Sequence, residues 1–189
     1  GGDYLDGKIA AFKDTRVKLY EIEEHVGVSK ARNIGINNST GDFIAFLDDD
    51  DFYYSNHLET IKEHLDDLHG VYYTDAARGV YQKTSDNYEL VERYVPYSID
   101  YHRNKLLMGN ITPILCLTVS RDLIFKAGLF NEKIGALEDW ELFLRLSDFT
   151  DFKHINAVTC EVNWKLDRKT ATTAKKQEFQ EVRKAIYSK

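Results

Sequence analysis

The chain has 189 residues, 43% of them hydrophobic and 30% charged, with a formal net charge of -6. That composition suits a folded domain with a real core and excludes a disordered or fibrous chain. The acidic balance carries no footprint for nucleic-acid binding, no apolar run approaches a membrane span, and the N-terminus does not read as a signal peptide.

Residues 1–3 (Gly-Gly-Asp) open the chain without the leading strand an α/β domain normally has. Residues 6–13 form a short helix candidate, with Ile9, Ala10 and Phe12 apolar. Residues 17–22 alternate like a strand. In the next stretch, from Gly27 to Gly35, Ser29 is a candidate cap for a helix with Arg32 and Asn33 in its first turn. A helix N-terminus beside a cation is a phosphate environment. The same residues also fit an ordinary capped helix with a surface Arg.

Residues 43–47 (Phe-Ile-Ala-Phe-Leu) read as a strand buried on both faces. The strand runs straight into Asp48, Asp49, Asp50 and Asp51. Four like charges at one strand end repel, and a divalent cation with oxygen ligands is a simple compensation. Ligands of open α/β sheets gather at the carboxyl ends of strands, so the stretch predicts a metal-assisted site for a phosphorylated ligand. A solvated acidic loop is the bland alternative. An EF-hand fails: with Asp48, Asp50 and Glu59 as outer ligands, Phe52 and Tyr53 fall where an oxygen ligand and a turn glycine are needed.

Ser55 is expected to cap a helix whose Leu58, Ile61, Leu65 and Leu68 make one stripe, closed by Gly70. Residues 71–75 read as the next strand. Residues 80–95 read as a polar hairpin turning at 85–87. Residues 96–110 are ambiguous, with a helix possible over 101–108. Residues 114–119 predict a buried strand, and Ser120 then caps a helix that Gly128 ends. Residues 138–146 form an amphipathic helix with Trp140, Phe143 and Leu144 on one side and Glu141 paired to Arg145. Glu138 and Asp139 stand at its start, where carboxylates suit the helix dipole. Residues 152–164 alternate as one or two strands. A last helix over 174–187 turns Phe179, Val182 and Ile186 inward. Cys116 and Cys160 lie in apolar runs and read as two reduced, buried thiols of a cytosolic protein. Strands alternating with helices, plus a polar hairpin, imply one α/β domain over 1–189 with a mixed sheet.

Several of these stretches, in this order, resemble family 2 glycosyltransferases of the GT-A fold. They are Gly27-x-Ser29-x-Ala31-Arg32-Asn33-x-Gly35, the run from Gly41 to Asp51, the run from Gly128 to Glu132, and Glu138-Asp139-Trp140. The resemblance covers most of the chain, from Gly1 to about Trp164. It implies a GT-A-like, Rossmann-like mixed central sheet flanked by helices. Asp48 and Asp50 match the Asp-x-Asp motif that holds Mg²⁺ or Mn²⁺, with Asp50 foremost as the ligand. Asp48 and Asp49 would lie near the ribose and diphosphate, and Arg32 near the donor nucleotide. Asp139 matches the general base, Trp140 would line the acceptor side, and Glu138 flanks the base. Members normally begin with a strand, a helix and a second acidic-ended strand, so the chain is expected to be an excerpt or a shortened relative.

The chemistry expected is metal-dependent, inverting transfer of a sugar from a nucleotide-diphosphate sugar to an acceptor hydroxyl. Negative charge develops on the departing diphosphate, and the acceptor proton goes to a carboxylate on the opposite face. The acceptor is a sugar, a lipid-linked sugar or a protein, and the setting is cell-surface polysaccharide or glycan synthesis. The expected location is the cytoplasm, free or peripheral at the inner face of the membrane. Two alternatives stay open: a non-catalytic nucleotide- or sugar-binding module, and a metal-dependent nucleotidyltransferase. The second would want a glycine-rich phosphate loop or a second metal cluster, and neither is visible.

Overall fold

The computed structural model describes residues 14–66, 69–167 and 176–187, so the helix expected over 6–13 and Leu68 of the expected stripe lie outside it. In chain order the elements are α1 (Val28–Asn38), β1 (Phe43–Ala45), β2 (Phe52–Tyr53), α2 (His57–His64), β3 (Val71–Lys83) and β4 (Tyr88–Tyr97). They continue with α3 (Arg103–Met108), a 3₁₀ turn (Ile114–Cys116), β5 (Leu117–Ser120), α4 (Arg121–Ala127), α5 (Glu138–Leu146), β6 (Lys153–Lys165) and α6 (Lys176–Tyr187).

The strands form one mixed sheet in the order β1-β5-β3-β6-β2, with β4 hairpinned onto β3. β3 pairs parallel to β6, and the other pairings are antiparallel. Burial explains why β3 is central. Val71, Tyr72, Tyr73, Ala76 and Ala77 are all buried, so the strand can be covered on both faces. Tyr72 turns to the face closed by α2, with Ile61 and Ile155. Tyr73 turns to the main core with Leu106, Ile124, Trp140 and Phe143 from α3, α4 and α5.

Several local signals operate as their chemistry requires. The Ser120 hydroxyl accepts from the Leu123 N–H at 3.3 Å, and Gly128 closes α4 in the left-handed region at φ 91°. Arg145 and Glu141 pair at 2.6 Å on α5, and the hairpin turns where expected, between Lys83 and Tyr88. Cys116 and Cys160 are buried free thiols.

Other expectations are corrected. Residues 17–22 form no strand, and Val17, Leu19, Tyr20 and Ile22 are exposed. Alternation needs a hydrogen-bonding neighbour to become a strand, and none of the described strands lies beside this stretch. Residues 43–47 are not buried on both faces: Ile44 and Phe46 turn to the core, whereas Ala45 and Leu47 are exposed and Phe43 is only partly covered, against Tyr72, at a border of the sheet where β1 pairs with β5 alone. Ser29 is no cap: Gly27 holds that position and Ser29 lies buried inside α1. Asn56, not Ser55, precedes α2, which ends at His64 well before Gly70, and Leu58 of its expected stripe is exposed. The run expected as a strand at 114–119 begins as a 3₁₀ turn and becomes strand only at Leu117.

Candidate active site

Two chain reversals bring the acidic loop and the start of α5 to one cleft. The loop after β1 carries Asp48 to Asp51, and β2 then returns antiparallel along β6, with Phe52 opposite Glu161 and Tyr53 opposite Cys160. α5 starts at Glu138, after a turn in which Leu137 takes a left-handed conformation at φ 57°. Such a conformation is unfavourable for leucine and persists because the side chain packs on the core.

Arg32, on α1, joins the two. Its Nη2 donates to both Asp48 oxygens, at 3.0 and 2.9 Å, and its Nη1 donates to Glu138 Oε1 at 3.0 Å. The Arg32 side chain is only 11% exposed, and its charge lies 5.4 Å from the Phe130 ring centroid. A planar fork can serve two carboxylates at once, which a lysine could not reproduce. Asn33 fixes the opposite wall. Its amide donates to Phe130 O at 3.0 Å and to Glu132 Oε1 at 2.8 Å, and its carbonyl accepts from Phe130 N at 2.9 Å.

The cleft measures about 710 Å³ and is lined by Arg32, Asp48, Glu138 and Asp139, with Ser29, Lys133 and Phe179 also facing it. Ser29 Oγ and Arg32 Nε are buried without a partner among the described residues. Together with the α1 N-terminus, these unsatisfied donors suit a phosphate. Phe179 belongs to α6, about 150 residues from Arg32 in sequence; helical spacing marks it as inward-facing, and no local signal places it in the cleft.

The four aspartates are not equivalent. Asp48 is held in place by Arg32, each of its oxygens accepting from Nη2 and keeping a lone pair for a further partner. Asp51 turns inward to accept from Asn163 N at 2.9 Å, and burial, reinforced by the charges of Asp50, Asp48 and Asp49, lifts its carboxyl to about 6. Asp49 and Asp50 are exposed, and their carboxylates meet no partner among the described residues. Neither lines the cleft wall formed by Asp48 and Asp139. Among the described residues no three His, Cys, Asp or Glu side chains converge as a metal cage. One or two free carboxylates, with phosphate and water completing the shell, fit Mg²⁺ or Mn²⁺ rather than a metal bound by protein alone.

Asp139 is half-buried on the first turn of α5. Its Oδ2 accepts from Asn110 Nδ2 at 2.7 Å, and its Oδ1 accepts from Trp140 N at 2.7 Å. Burial, then the charge of Glu138, raise its carboxyl to about 6 against the hydrogen bonds and Arg32. A carboxylate with that value can take a proton near neutral pH. Trp140 corrects an expectation. Its ring is 1% exposed and its Nε1 donates to Leu106 O at 2.6 Å, so it supports the floor beneath Asp139 and does not line a binding surface.

The chain matches the model of Glycosyl transferase family 2 over residues 3–123. An Escherichia coli protein, the UDP-Glc:alpha-D-GlcNAc-diphosphoundecaprenol beta-1,3-glucosyltransferase WfgD, is 30% identical over 178 residues, covering 91% of this chain and 64% of that protein. An uncharacterized glycosyltransferase of Haemophilus influenzae is 35% identical over 137 residues, covering 70% of this chain and 50% of its own length. The fold matches S. aureus TarS 1-349 with a TM-score of 0.66 at 16% identity, over 97% of this chain and 51% of that one. The architecture is therefore GT-A-like, and the chain spans between half and two thirds of the length of these proteins.

Proposed function

The chain belongs to glycosyl transferase family 2, and from that premise we propose that it forms the donor and base side of a metal-assisted, inverting glycosyltransferase. The observation that carries the reading is the Arg32 bridge, which holds the acidic loop and the Asp139 helix on one cleft. A nucleoside diphosphate would lie between the α1 N-terminus and the acidic loop, with Ser29 and Arg32 toward its phosphates. Asp50, with Asp48 beside it, would hold Mg²⁺ or Mn²⁺, and Asp49 would lie by the ribose. Bound there, the cation neutralises charge on the departing diphosphate. Asp139 takes the acceptor proton, Asn110 and the Trp140 N–H orient its carboxylate, and its raised affinity keeps it basic at neutral pH. With a separate base and no protein nucleophile required, the acceptor oxygen displaces the nucleoside diphosphate directly and inverts the anomeric centre.

The E. coli relative's name gives UDP-Glc as donor and a lipid-diphosphate-linked sugar as acceptor, and TarS has been crystallised with UDP-GlcNAc. By analogy we assign a UDP-sugar donor, a lipid-linked sugar acceptor and a role in cell-surface polysaccharide synthesis, at the inner face of a membrane. No helix among the described residues is long and apolar enough to cross one.

Titration of UDP with and without Mn²⁺, on the wild type and Asp50→Asn, tests the donor half. UDP should bind in a Mn²⁺-dependent manner, and Asp50→Asn should abolish that dependence while leaving the melting temperature unchanged. Mn²⁺-independent binding of equal strength in both proteins would remove Asp50 from the metal site. Donor binding without any sugar transfer would favour a binding module instead.

A further inference from the structure

Beyond the cleft, Arg78 is a cation that the donor and base assignments leave unexplained. Arg78 lies on β3, and its guanidinium is enclosed by three rings, with its central carbon 4.9 Å from the centroid of Trp164, 5.2 Å from Tyr97 and 5.9 Å from Tyr94. Its only hydrogen-bond partners among the described residues are neutral: Nη1 donates to the Tyr94 hydroxyl at 3.3 Å and Nη2 donates to the Tyr97 hydroxyl. Its Nε is buried with no partner. Arg32, Arg93 and Arg145 each meet a carboxylate, and Arg121 and Arg183 donate to main-chain carbonyls, whereas Arg78 meets neither among the described residues. Burial opposes the guanidinium's charge and the Tyr97 and Tyr94 hydroxyls offset that, but neither supplies a counter-charge, so an arriving oxyanion meets a cation already held in place.

The position is specific. Arg78 is opposite Val162 on β6, and the next pair is Gly79 with Asn163. Asn163 donates its N–H to Asp51 and its side-chain amide to Asp50 O, so Arg78 stands two strands from the acidic loop, about 10 Å by strand spacing. Tyr97 and Val162 pack on the same core as Trp140, so the cluster lies on the sheet face that carries α5. The chain leaving Tyr97 is the one that brings Asn110 to Asp139.

We propose that Arg78, framed by Tyr94, Tyr97 and Trp164, binds a phosphate carried by the acceptor sugar, the rings receiving the sugar face and the fork receiving the phosphate. This rests on the glycosyltransferase reading above and adds the acceptor's charge to it.

The test is calorimetric titration of the protein with N-acetylglucosamine 1-phosphate, N-acetylglucosamine and inorganic phosphate, in parallel with UDP and Mn²⁺. The sugar phosphate should bind at least about tenfold more tightly than either fragment, the gain expected of one charge-assisted contact. Arg78→Gln should erase that gain and leave UDP binding unchanged. Tyr94, at 40% exposure, can be removed with little effect on folding, and Tyr94→Ala should weaken the sugar phosphate as well. Unchanged sugar-phosphate affinity in either variant overturns the proposal. So does equal binding of inorganic phosphate and sugar phosphate, which would mark a free-phosphate site. Loss of UDP binding in the wild type would fail the donor assignment, while the sugar-phosphate series would still decide Arg78.

Discussion

Replacing Asp139 with Asn separates a base from a helix-start carboxylate through two readouts that move differently. Its carboxyl titrates at about 6 in the fold against an ordinary 3.8, so two units at 1.36 kcal/mol each oppose the ionised form by about 3 kcal/mol. The side chain is only half-buried, and solvent reduces that figure to about 1–2 kcal/mol. The sign follows from the raised value. The protonated form is favoured by folding, so this group's contribution is fully present below pH 3.8 and is lost as pH rises through about 6. Asn carries no such term. It has one acceptor oxygen for two donors, the Asn110 amide and the Trp140 N–H, and loses about 1 kcal/mol there at every pH. Urea unfolding at pH 4.5 and 7.5 should therefore show the variant gaining about 1 kcal/mol relative to wild type at the higher pH, the rest of the contribution having been lost below pH 4.5. Turnover with a competent donor and acceptor should fall about 10²–10⁴-fold, and wild-type activity should decline below pH 6 as the base protonates. Retained turnover, or a stability difference that ignores pH, would return Asp139 to a helix-start role.

Arg32→Ala leaves Asp48 and Glu138 facing each other without their shared cation, and should lower stability by about 2–4 kcal/mol in urea unfolding, with UDP affinity falling too. Glu161 is 1% exposed and accepts from Tyr54, Tyr81 and Arg93; burial opposes its charge, but those hydrogen bonds outweigh it and hold the carboxyl below its usual range. Its stabilisation is present above pH 4.5 and lost as pH falls through the lowered value, so Glu161→Gln should flatten the acid limb of a stability–pH curve and match wild type only at low pH. A Cβ on Gly79 would lie 2.3 Å from Glu161 Oε1, so Gly79→Ala should lose about 1–3 kcal/mol in the same assay with donor binding kept.

Sequence by itself determined what depends on near neighbours in the chain. The Ser120 and Gly128 caps, the hairpin between β3 and β4, the amphipathic α5 and the Glu141–Arg145 pair are all set by periodicity and turn chemistry within a few residues. The acidic run was legible for the same reason, since its charge density stands out against the apolar strand before it. Tertiary structure alone decided the rest. Whether residues 17–22 or 43–47 become interior strands depends on which backbone lies alongside, and alternation specifies a face without a neighbour. Division of labour among Asp48, Asp49, Asp50 and Asp51 came from Arg32 and Asn163, the latter more than a hundred residues away. Trp140 looked like a binding residue and is core, because its ring packs in the main cluster and its nitrogen donates to the Leu106 carbonyl, a partner more than thirty residues away. The unpaired charge of Arg78 and the entry of Phe179 into the cleft arise from strand pairing and helix docking across the chain, and side-chain spacing along a sequence does not encode such meetings.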